Sequence, residues 1–157
     1  MNYRVLALMA AASILAGCAS APTSTLSHRP ARPPVNQPSA DWENLGVSPN
    51  GNILNELDKL SIKREGTLVT FRDRKTIFNL KKENFLSTPR HKVSINTWQM
   101  DCNARTFWLK AMVLFDENGR QIASFTYNDG QIKPMPVVQN SASYQQMQSV
   151  CQGHNAL

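Results

Sequence analysis

Short segments of alternating polarity, separated by turn signals, fill the chain from residue 41 onward. In the segment 106–116, apolar side chains occupy every second position, which is the period of a strand with one buried face. Turn dipeptides lie between such segments, at Asn50-Gly51, Glu65-Gly66, Asn118-Gly119 and Asp129-Gly130. Because glycine-containing dipeptides of this kind favour tight turns, the pattern predicts consecutive antiparallel strands.

The predicted sheet is a meander of about six strands. The candidate segments from which these strands are drawn are 42–47, 53–57, 61–64, 67–72, 76–80, 92–102, 106–116 and 121–128, with a turn after the second of these. The charged run 72–75 is predicted as a hairpin tip or loop. Ile95 has the opposite parity to Trp98 and Met100, so we expect a β-bulge near residues 96–97 that brings both sets to the core side.

The last element is predicted as a helix over 141–151. Met147 and Val150 recur there at helical spacing, and Ser143 with Gln146 fits an N-terminal capping box. One helix packed on an antiparallel sheet gives the α+β class, mainly β. A hydrophobic content of 41% and a charged content of 18% exclude a wholly disordered chain.

The N-terminus has the layout of a lipoprotein signal peptide. One positive charge, Arg4, precedes an apolar run that is too short for a stable membrane span. The run ends in Leu15-Ala16-Gly17-Cys18, which resembles the lipobox of bacterial lipoproteins. The resemblance implies lipid attachment at Cys18, with acyl chains such as palmitate. The alternative is an ordinary secretory signal with a chance cysteine.

This interpretation divides the chain into a signal peptide (1–17), a lipidated Pro-rich tether (18–40) and a folded domain (41–157). The tether contains five prolines and no acidic residue, so it cannot bury enough apolar surface to fold. Ala19 follows the cysteine where an aspartate would imply retention in the inner membrane. We therefore expect a lipid-anchored protein of the outer membrane in the cell envelope.

Two cysteines remain when Cys18 carries lipid. In an oxidising compartment, Cys102 and Cys151 are expected to form a disulfide bond that joins the helix to a strand. Two free buried thiols are the alternative. A redox-active pair is not indicated, because the chain contains no Cys-x-x-Cys motif.

Basic residues are concentrated between residues 63 and 92. Seven of them form a candidate basic binding face: Arg72, Arg74, Lys75, Lys81, Lys82, Arg90 and Lys92. A one-sided positive field would attract a protein, an anionic polysaccharide or an anionic lipid, and we do not expect nucleic acid as a partner in this compartment. The alternative is a set of solvated strand edges, on which lysines hinder pairing between sheets.

Motifs for catalysis and metal binding are missing from the sequence. It contains no nucleophile elbow and no phosphate-binding glycine loop, and metal-ligand spacing is absent among His28, His91 and His154. Asp58 and Asp101 lie near predicted strand ends, where we expect them to accept hydrogen bonds from backbone donors or from Arg64 and Arg105. We therefore predict that the chain is not an enzyme and that it binds no cofactor or metal.

An ordered series of residues runs through the domain: Trp42, Leu57-Asp58, Ser61-Ile62 with Arg64, Met100-Asp101-Cys102, 115–119, and 143–151. Over residues 41–151 this series resembles the surface-adhesin protein E-like domain of bacterial outer-membrane lipoproteins. The resemblance implies an antiparallel sheet with a helix, lipidation at the outer membrane, and adhesion.

The expected function is that of an outer-membrane lipoprotein with a non-enzymatic binding domain, an adhesin for host or envelope macromolecules. The alternative is a structural or accessory envelope lipoprotein that faces the periplasm. The two differ in whether the domain is exposed at the cell surface.

Overall fold

One antiparallel sheet and one α-helix make up the domain in the computed structural model, which describes residues 39–152. The strands are β1 (Trp42–Val47), β2 (Ile53–Glu65), β3 (Leu68–Ile77), β4 (Val93–Asp101), β5 (Thr106–Phe115), β6 (Gln121–Thr126) and β7 (Met135–Pro136), and the helix α1 is Ala142–Val150. The predicted mainly-β fold with a C-terminal helix is confirmed. The predicted signal peptide, Cys18 and nearly all of the predicted tether lie outside the described residues.

The strands β1 to β6 lie side by side in sequence order, each antiparallel to the next. The short β7 pairs with the first two residues of β5. Gly51 and Gly66 occupy hairpin turns with φ of 71° and 61°, a region that glycine enters without steric cost. None of the helices in residues 39–152 combines the length and apolar character that a membrane span requires.

The predicted turn in the middle of β2 is wrong, because β2 is one continuous strand. Its pairing with β3 shifts after Asp58, where residues 59–62 lie opposite Phe71 alone. The Ser61 hydroxyl stabilises this bulge, since its oxygen accepts the backbone N–H of Arg72 and its O–H donates to the Asp58 carbonyl, each at 2.7 Å. The strand therefore bends without ending.

The charged run 72–75 lies inside β3, so the prediction of a hairpin tip or loop there is wrong. β3 continues to Ile77, and the segment 76–80 is not a separate strand. A single 3₁₀ turn follows at Leu80–Lys82. The strand accommodates its charges because each of them meets an acidic or polar partner on its own or a neighbouring element, as described below.

The β-bulge lies in β5 and not in β4. β4 pairs with β3 in unbroken register, whereas Lys110 of β5 is an extra residue opposite Thr97 and Trp98. Strict alternation along β4 therefore leaves Ile95 on the opposite face of the sheet from Met100. The expectation that one bulge brings both apolar sets to the core side is wrong.

The core lies between α1 and one face of the sheet. A cluster of buried apolar side chains fills it: Leu57, Val69, Phe71, Met100 and Val150. Trp98 and Phe107 pack against this cluster, with ring centroids 5.4 Å apart. Full burial of one such side chain stabilises the fold by about 1.5–3 kcal/mol, so the cluster is a principal source of stability.

The disulfide between Cys102 and Cys151 joins the end of β4 to the end of α1, as predicted. The two Cα atoms are 5.8 Å apart, and 49 positions separate the residues in sequence. Closing a loop of this size reduces the entropy of the unfolded chain by an amount equivalent to about 4 kcal/mol. Arg64 of β2 adds a contact there, because its Nη2 donates to the carbonyls of Val150 at 2.6 Å and Gln152 at 3.0 Å.

Helix α1 begins with a different cap from the one predicted. Its N-cap is Ser141, whose Oγ accepts the backbone N–H of Tyr144 at 3.3 Å. The capping box of Ser143 and Gln146 is wrong, because Ser143 already lies within the helix. Gln146 is buried and points into the sheet, where its Nε2 donates to Asp73 at 2.7 Å.

Asp73 is a fully buried carboxylate between the sheet and the helix. Its Oδ1 accepts Asn96 Nδ2 of β4 at 2.7 Å, and its Oδ2 lies 3.0 Å from the Lys75 ammonium in addition to accepting Gln146. Lys75 also donates to Asn55 of β2 at 3.0 Å. A buried charge is costly without such partners, so this network fixes how α1 sits on the sheet.

Removal of the Asp73 carboxylate should destabilise the domain strongly. In Asp73→Ala, the amides of Asn96 and Gln146 stay buried without their acceptor, so we expect the free energy of unfolding to fall by about 3 kcal/mol. Asp129→Ala is the control, because Asp129 is 81% exposed in its ion pair with Lys110. The control should lose less than about 1 kcal/mol. Urea unfolding measures both, and equal losses would contradict the role of the network.

Candidate functional site

The longest connection between strands in residues 39–152 is the β3–β4 loop, residues 78–92. Connections of this length are uncommon in compact domains and are often functional. The loop begins at Phe78, passes through the 3₁₀ turn and returns to β4 at Lys92. Leu80 is 8% exposed and packs the start of the loop onto the domain.

Asn52, in the connection between β1 and β2, holds the first part of the β3–β4 loop. Its buried side chain donates to the Asn79 carbonyl at 3.0 Å and to Glu83 Oε1 at 2.6 Å, and it accepts the Asn79 N–H at 2.8 Å. The Asn52 carbonyl also accepts the N–H of Phe78 at 2.8 Å. One residue thus makes four hydrogen bonds to the loop, which is fixed before any partner binds.

The second part of the loop is held by contacts within the loop itself. The Phe85 ring meets His91 edge-on, with centroids 5.2 Å apart, and His91 Nδ1 lies 2.8 Å from the Pro89 carbonyl. The Lys92 ammonium donates to the Phe78 carbonyl at 3.1 Å, which joins the last residue of the loop to the first. The loop therefore forms a closed, ordered structure.

The seven residues of the predicted basic face fall into two groups. Three lie within β3, namely Arg72, Arg74 and Lys75, and four lie in the β3–β4 loop, namely Lys81, Lys82, Arg90 and Lys92. Alternation along β3 places the two arginines on one face of the sheet and the lysine on the other, where it meets buried Asp73. The structure thus separates Lys75 from the two arginines and places the other four cations in one loop.

The arginines of β3 have acidic partners on β2. The guanidinium of Arg72 donates to the buried carboxylate of Asp58. Arg74 donates through Nε and Nη2 to both oxygens of Glu56, at 2.6 and 2.8 Å, and lies 4.4 Å above the centre of the Trp42 ring. These contacts fix the side chains of both arginines against the sheet, and the two carboxylates offset their charge.

Among the described residues, three cations of the β3–β4 loop lack such acidic partners. Within residues 39–152, no ion pair involves Lys81, Lys82 or Arg90. The acidic residue of the loop, Glu83, accepts a hydrogen bond from Asn52. Four basic residues against one acidic residue give the loop a net charge of +3 with its histidine neutral. The loop is therefore a source of uncompensated positive potential.

Two large apolar side chains are exposed on the same loop. Phe78 is 52% exposed and Leu86 is 89% exposed, the highest value among the exposed large apolar residues of the described domain. A single exposed leucine is ordinary on a protein surface. Here it lies in sequence between Lys82 and Arg90, so an apolar group and free cations occur on one ordered segment.

Asp58 and Asp101 act mainly as acceptors for backbone groups, as expected. Asp58 accepts two backbone N–H groups at 2.9 and 3.2 Å, and Asp101 accepts two at 2.9 Å. The expected partner Arg64 is wrong, because Arg64 caps the end of α1 while Asp58 pairs with Arg72. Within residues 39–152, Asp101 forms no ion pair with Arg105.

The adjacent carboxylates of Asp116 and Glu117 lie in the β5–β6 turn, next to the Asn118-Gly119 dipeptide. The backbone N–H of Arg120 donates to Asp116 Oδ1 and its Nε donates to Oδ2, each at 2.9 Å. These hydrogen bonds, the backbone one first, hold the pKa of Asp116 below its ordinary value. The carboxylate thus serves to close the turn.

Two open cavities lie elsewhere on the domain. One of about 690 Å³ borders the disulfide and is lined by Arg105 and Met147, and one of about 320 Å³ lies over the bulge of β2, between Leu60 and Arg72. Among the described residues, no group of histidine, cysteine and acidic side chains is placed to hold a metal ion. The Ser61 hydroxyl in the lining of the second cavity is already engaged with the Asp58 carbonyl and the Arg72 N–H, so the loop remains the candidate binding site.

Sequence reasoning missed Asn52 and Leu86. Asn52 directly follows the Asn50-Gly51 turn dipeptide. A polar residue beside a turn is normally exposed, so the sequence gives no sign that Asn52 is buried. Leu86 directly follows Phe85 in an otherwise polar, irregular stretch, and the sequence gives no sign of which of these two apolar side chains is exposed.

Two comparisons with known proteins find a match. The family model for surface-adhesin protein E matches residues 42–152. The crystal structure of Protein E from non-typeable Haemophilus influenzae is similar to this chain with a TM-score of 0.44 and 15% sequence identity, over 76% of this chain and 80% of that chain. Among curated proteins, none matches the sequence. The matched region contains β1 to α1 with both cysteines of the disulfide. The chain belongs to the surface-adhesin protein E family.

Proposed function

We propose that this chain is a lipid-anchored, non-enzymatic binding protein of the outer membrane that contacts an anionic partner through the β3–β4 loop. Membership of the family supports a surface adhesin-like role. The observation that carries the proposal is the contrast between the two groups of cations. Those of β3 have acidic partners, whereas Lys81, Lys82 and Arg90 have none within residues 39–152.

Order in the loop supports a binding role. Flexible loops lose conformational entropy when they bind, and a loop that is already fixed avoids much of that cost. The hydrogen bonds of Asn52 and the contact between Lys92 and Phe78 fix the β3–β4 loop in the free protein. The free cations are therefore presented in a defined arrangement.

Anchoring through Cys18 is supported by the sequence around it. The tetrapeptide Leu15-Ala16-Gly17-Cys18 ends the apolar run, and the Pro-rich segment 19–40 separates it from the domain. At about 3.1 Å per residue, this segment would extend to roughly 70 Å at most. The domain would then be held near the membrane without being fixed to it.

Charge reversal in the loop should weaken binding to polyanions. We expect the variant Lys81→Glu with Lys82→Glu to bind heparin about tenfold more weakly than the unchanged chain, with a smaller dependence on salt, because two contacts become repulsive. The matched control is Lys63→Glu with Lys133→Glu, which makes the same change at exposed positions outside the loop. Salt elution from a heparin column measures both, and an equal shift for the two variants would show that only net charge matters.

Replacement of the lipobox cysteine should release the protein from membranes. Three acyl chains hold a protein almost permanently, because each buried methylene contributes about 0.8 kcal/mol. We therefore expect Cys18→Ala to abolish acylation and to move the chain into the soluble fraction. Metabolic labelling with palmitate and fractionation of the envelope test this. A variant that still sediments with membranes would contradict the anchor.

Exposure at the cell surface separates the two functions expected from the sequence. An adhesin should lose its domain when intact cells are treated with protease, because a Pro-rich segment of the composition of 19–40 is expected to be open to cleavage. Immunoblotting of shaved cells measures the loss, with a periplasmic protein as the control for cell integrity. Protection of the domain would favour the accessory lipoprotein that faces the periplasm.

A further inference from the structure

We infer that the β3–β4 loop docks onto the phosphate-bearing surface of the bilayer that holds the protein's own lipid anchor. In this arrangement the loop cations contact lipid phosphates and Leu86 enters the boundary between headgroups and acyl chains. The inference rests on the proposed function, since it names the anionic partner of the same loop.

The exposure of Leu86 is the first observation. This side chain is 89% exposed although the loop around it is ordered by Asn52 and by the contact of Phe85 with His91. It therefore stays in water because of the shape of the loop. Transfer of an exposed leucine out of water is favourable, and a bilayer boundary offers that transfer.

The placement of the cations is the second observation. Lys81 and Lys82 precede Leu86 in the loop, and Arg90 and Lys92 follow it. An apolar residue with cations on both sides is the arrangement that suits an anionic lipid surface, where acyl chains lie below a layer of phosphates. The net charge of the loop, +3 from four basic residues and one acidic residue, is complementary to that layer.

A sulfated polysaccharide would satisfy fewer of the exposed groups of the loop than a bilayer would. Its sulfate groups would satisfy the cations, but its hydrated chain gives no apolar environment to Leu86 or to Phe78, which is 52% exposed. A bilayer surface satisfies both kinds of group at once. The structure therefore favours a lipid partner for this loop.

The length of the chain outside the described residues argues for the protein's own membrane. The segment 19–40 would extend to roughly 70 Å at most, so a domain anchored at Cys18 stays close to the anchoring bilayer. A surface that close is present at a high effective concentration, so even a weak contact is populated. An opposing membrane has no such advantage.

Vesicle binding tests the lipid partner. The protein is the mature chain from residue 18 with Cys18→Ala, so that no acyl chain contributes. The probes are vesicles of phosphatidylglycerol and phosphatidylcholine in equal parts, and vesicles of phosphatidylcholine alone. We expect flotation with the anionic vesicles and at least a tenfold weaker association with the neutral ones.

Replacement of Leu86 distinguishes a bilayer from a polyanion. Leu86→Ser leaves every charge in place, so it should weaken binding to the anionic vesicles by about tenfold and leave heparin elution unchanged. The matched control is Leu60→Ser, because Leu60 is 63% exposed outside the loop. Equal binding of the two serine variants to vesicles would overturn the inference. If Lys81→Glu with Lys82→Glu still weakened heparin binding in that case, the proposed function would stand. If this variant bound both heparin and anionic vesicles as tightly as the unchanged chain, the inference and the proposed function would both be wrong.

The acylated chain tests which bilayer is contacted. When it is anchored in anionic vesicles, the loop should bind the vesicle that carries it, so turbidity should stay constant as protein is added. Replacement of Leu86 should then make the domain more accessible to protease on those vesicles. Aggregation of the vesicles that depends on Leu86 would show contact with an opposing bilayer and would overturn this part of the inference.

Discussion

The buried carboxylate of Asp73 is the contact on which the packing of the domain depends. It receives hydrogen bonds from Asn96 of β4 and Gln146 of α1, and an ion pair from Lys75 of its own strand. A helix packed on a sheet by apolar contacts alone can shift by small amounts at little cost, whereas a buried charge permits only positions that satisfy it. The network thus supplies a definite position for α1, while the disulfide and the apolar cluster supply much of the stability.

Charge in this domain has two separate uses. The cations of β3 are structural, because Arg72, Arg74 and Lys75 each meet a carboxylate that is buried or mostly buried. Among the described residues, Lys81, Lys82 and Arg90 of the β3–β4 loop form no ion pair. This division matters for reading a basic sequence, because the count of lysines and arginines between residues 63 and 92 overstates the positive charge that a partner can meet.

Local patterns predicted most of the strands, since alternation and turn dipeptides depend on neighbouring residues. Trp42–Val47 and the disulfide were predicted as the structure has them. The charged run 72–75 predicts a hairpin tip or loop, although the parity of Val69 and Phe71 continues through Asp73. The partners that make this run acceptable are remote in sequence, since Asp58 lies 14 residues before Arg72 and Gln146 lies 73 residues after Asp73. A single sequence gives no sign of such pairings. The order of the β3–β4 loop is not predictable for the same reason, because Asn52 lies 27 residues before Asn79.

The entry of the chain into the sheet has a mechanical consequence. The backbone N–H of Asp41 donates to buried Asp58, the Asp41 carbonyl accepts the N–H of Lys59, and the two side chains of Asp41 and Lys59 form an ion pair. Tension on the N-terminal segment therefore reaches the sheet at Asp41 before it reaches the ladder between β1 and β2. Asp58 of β2 also forms an ion pair with Arg72 of β3, so the force is transmitted to β3 as well. The strands β1, β2 and β3 therefore share a load that the edge strand β1 would otherwise carry alone.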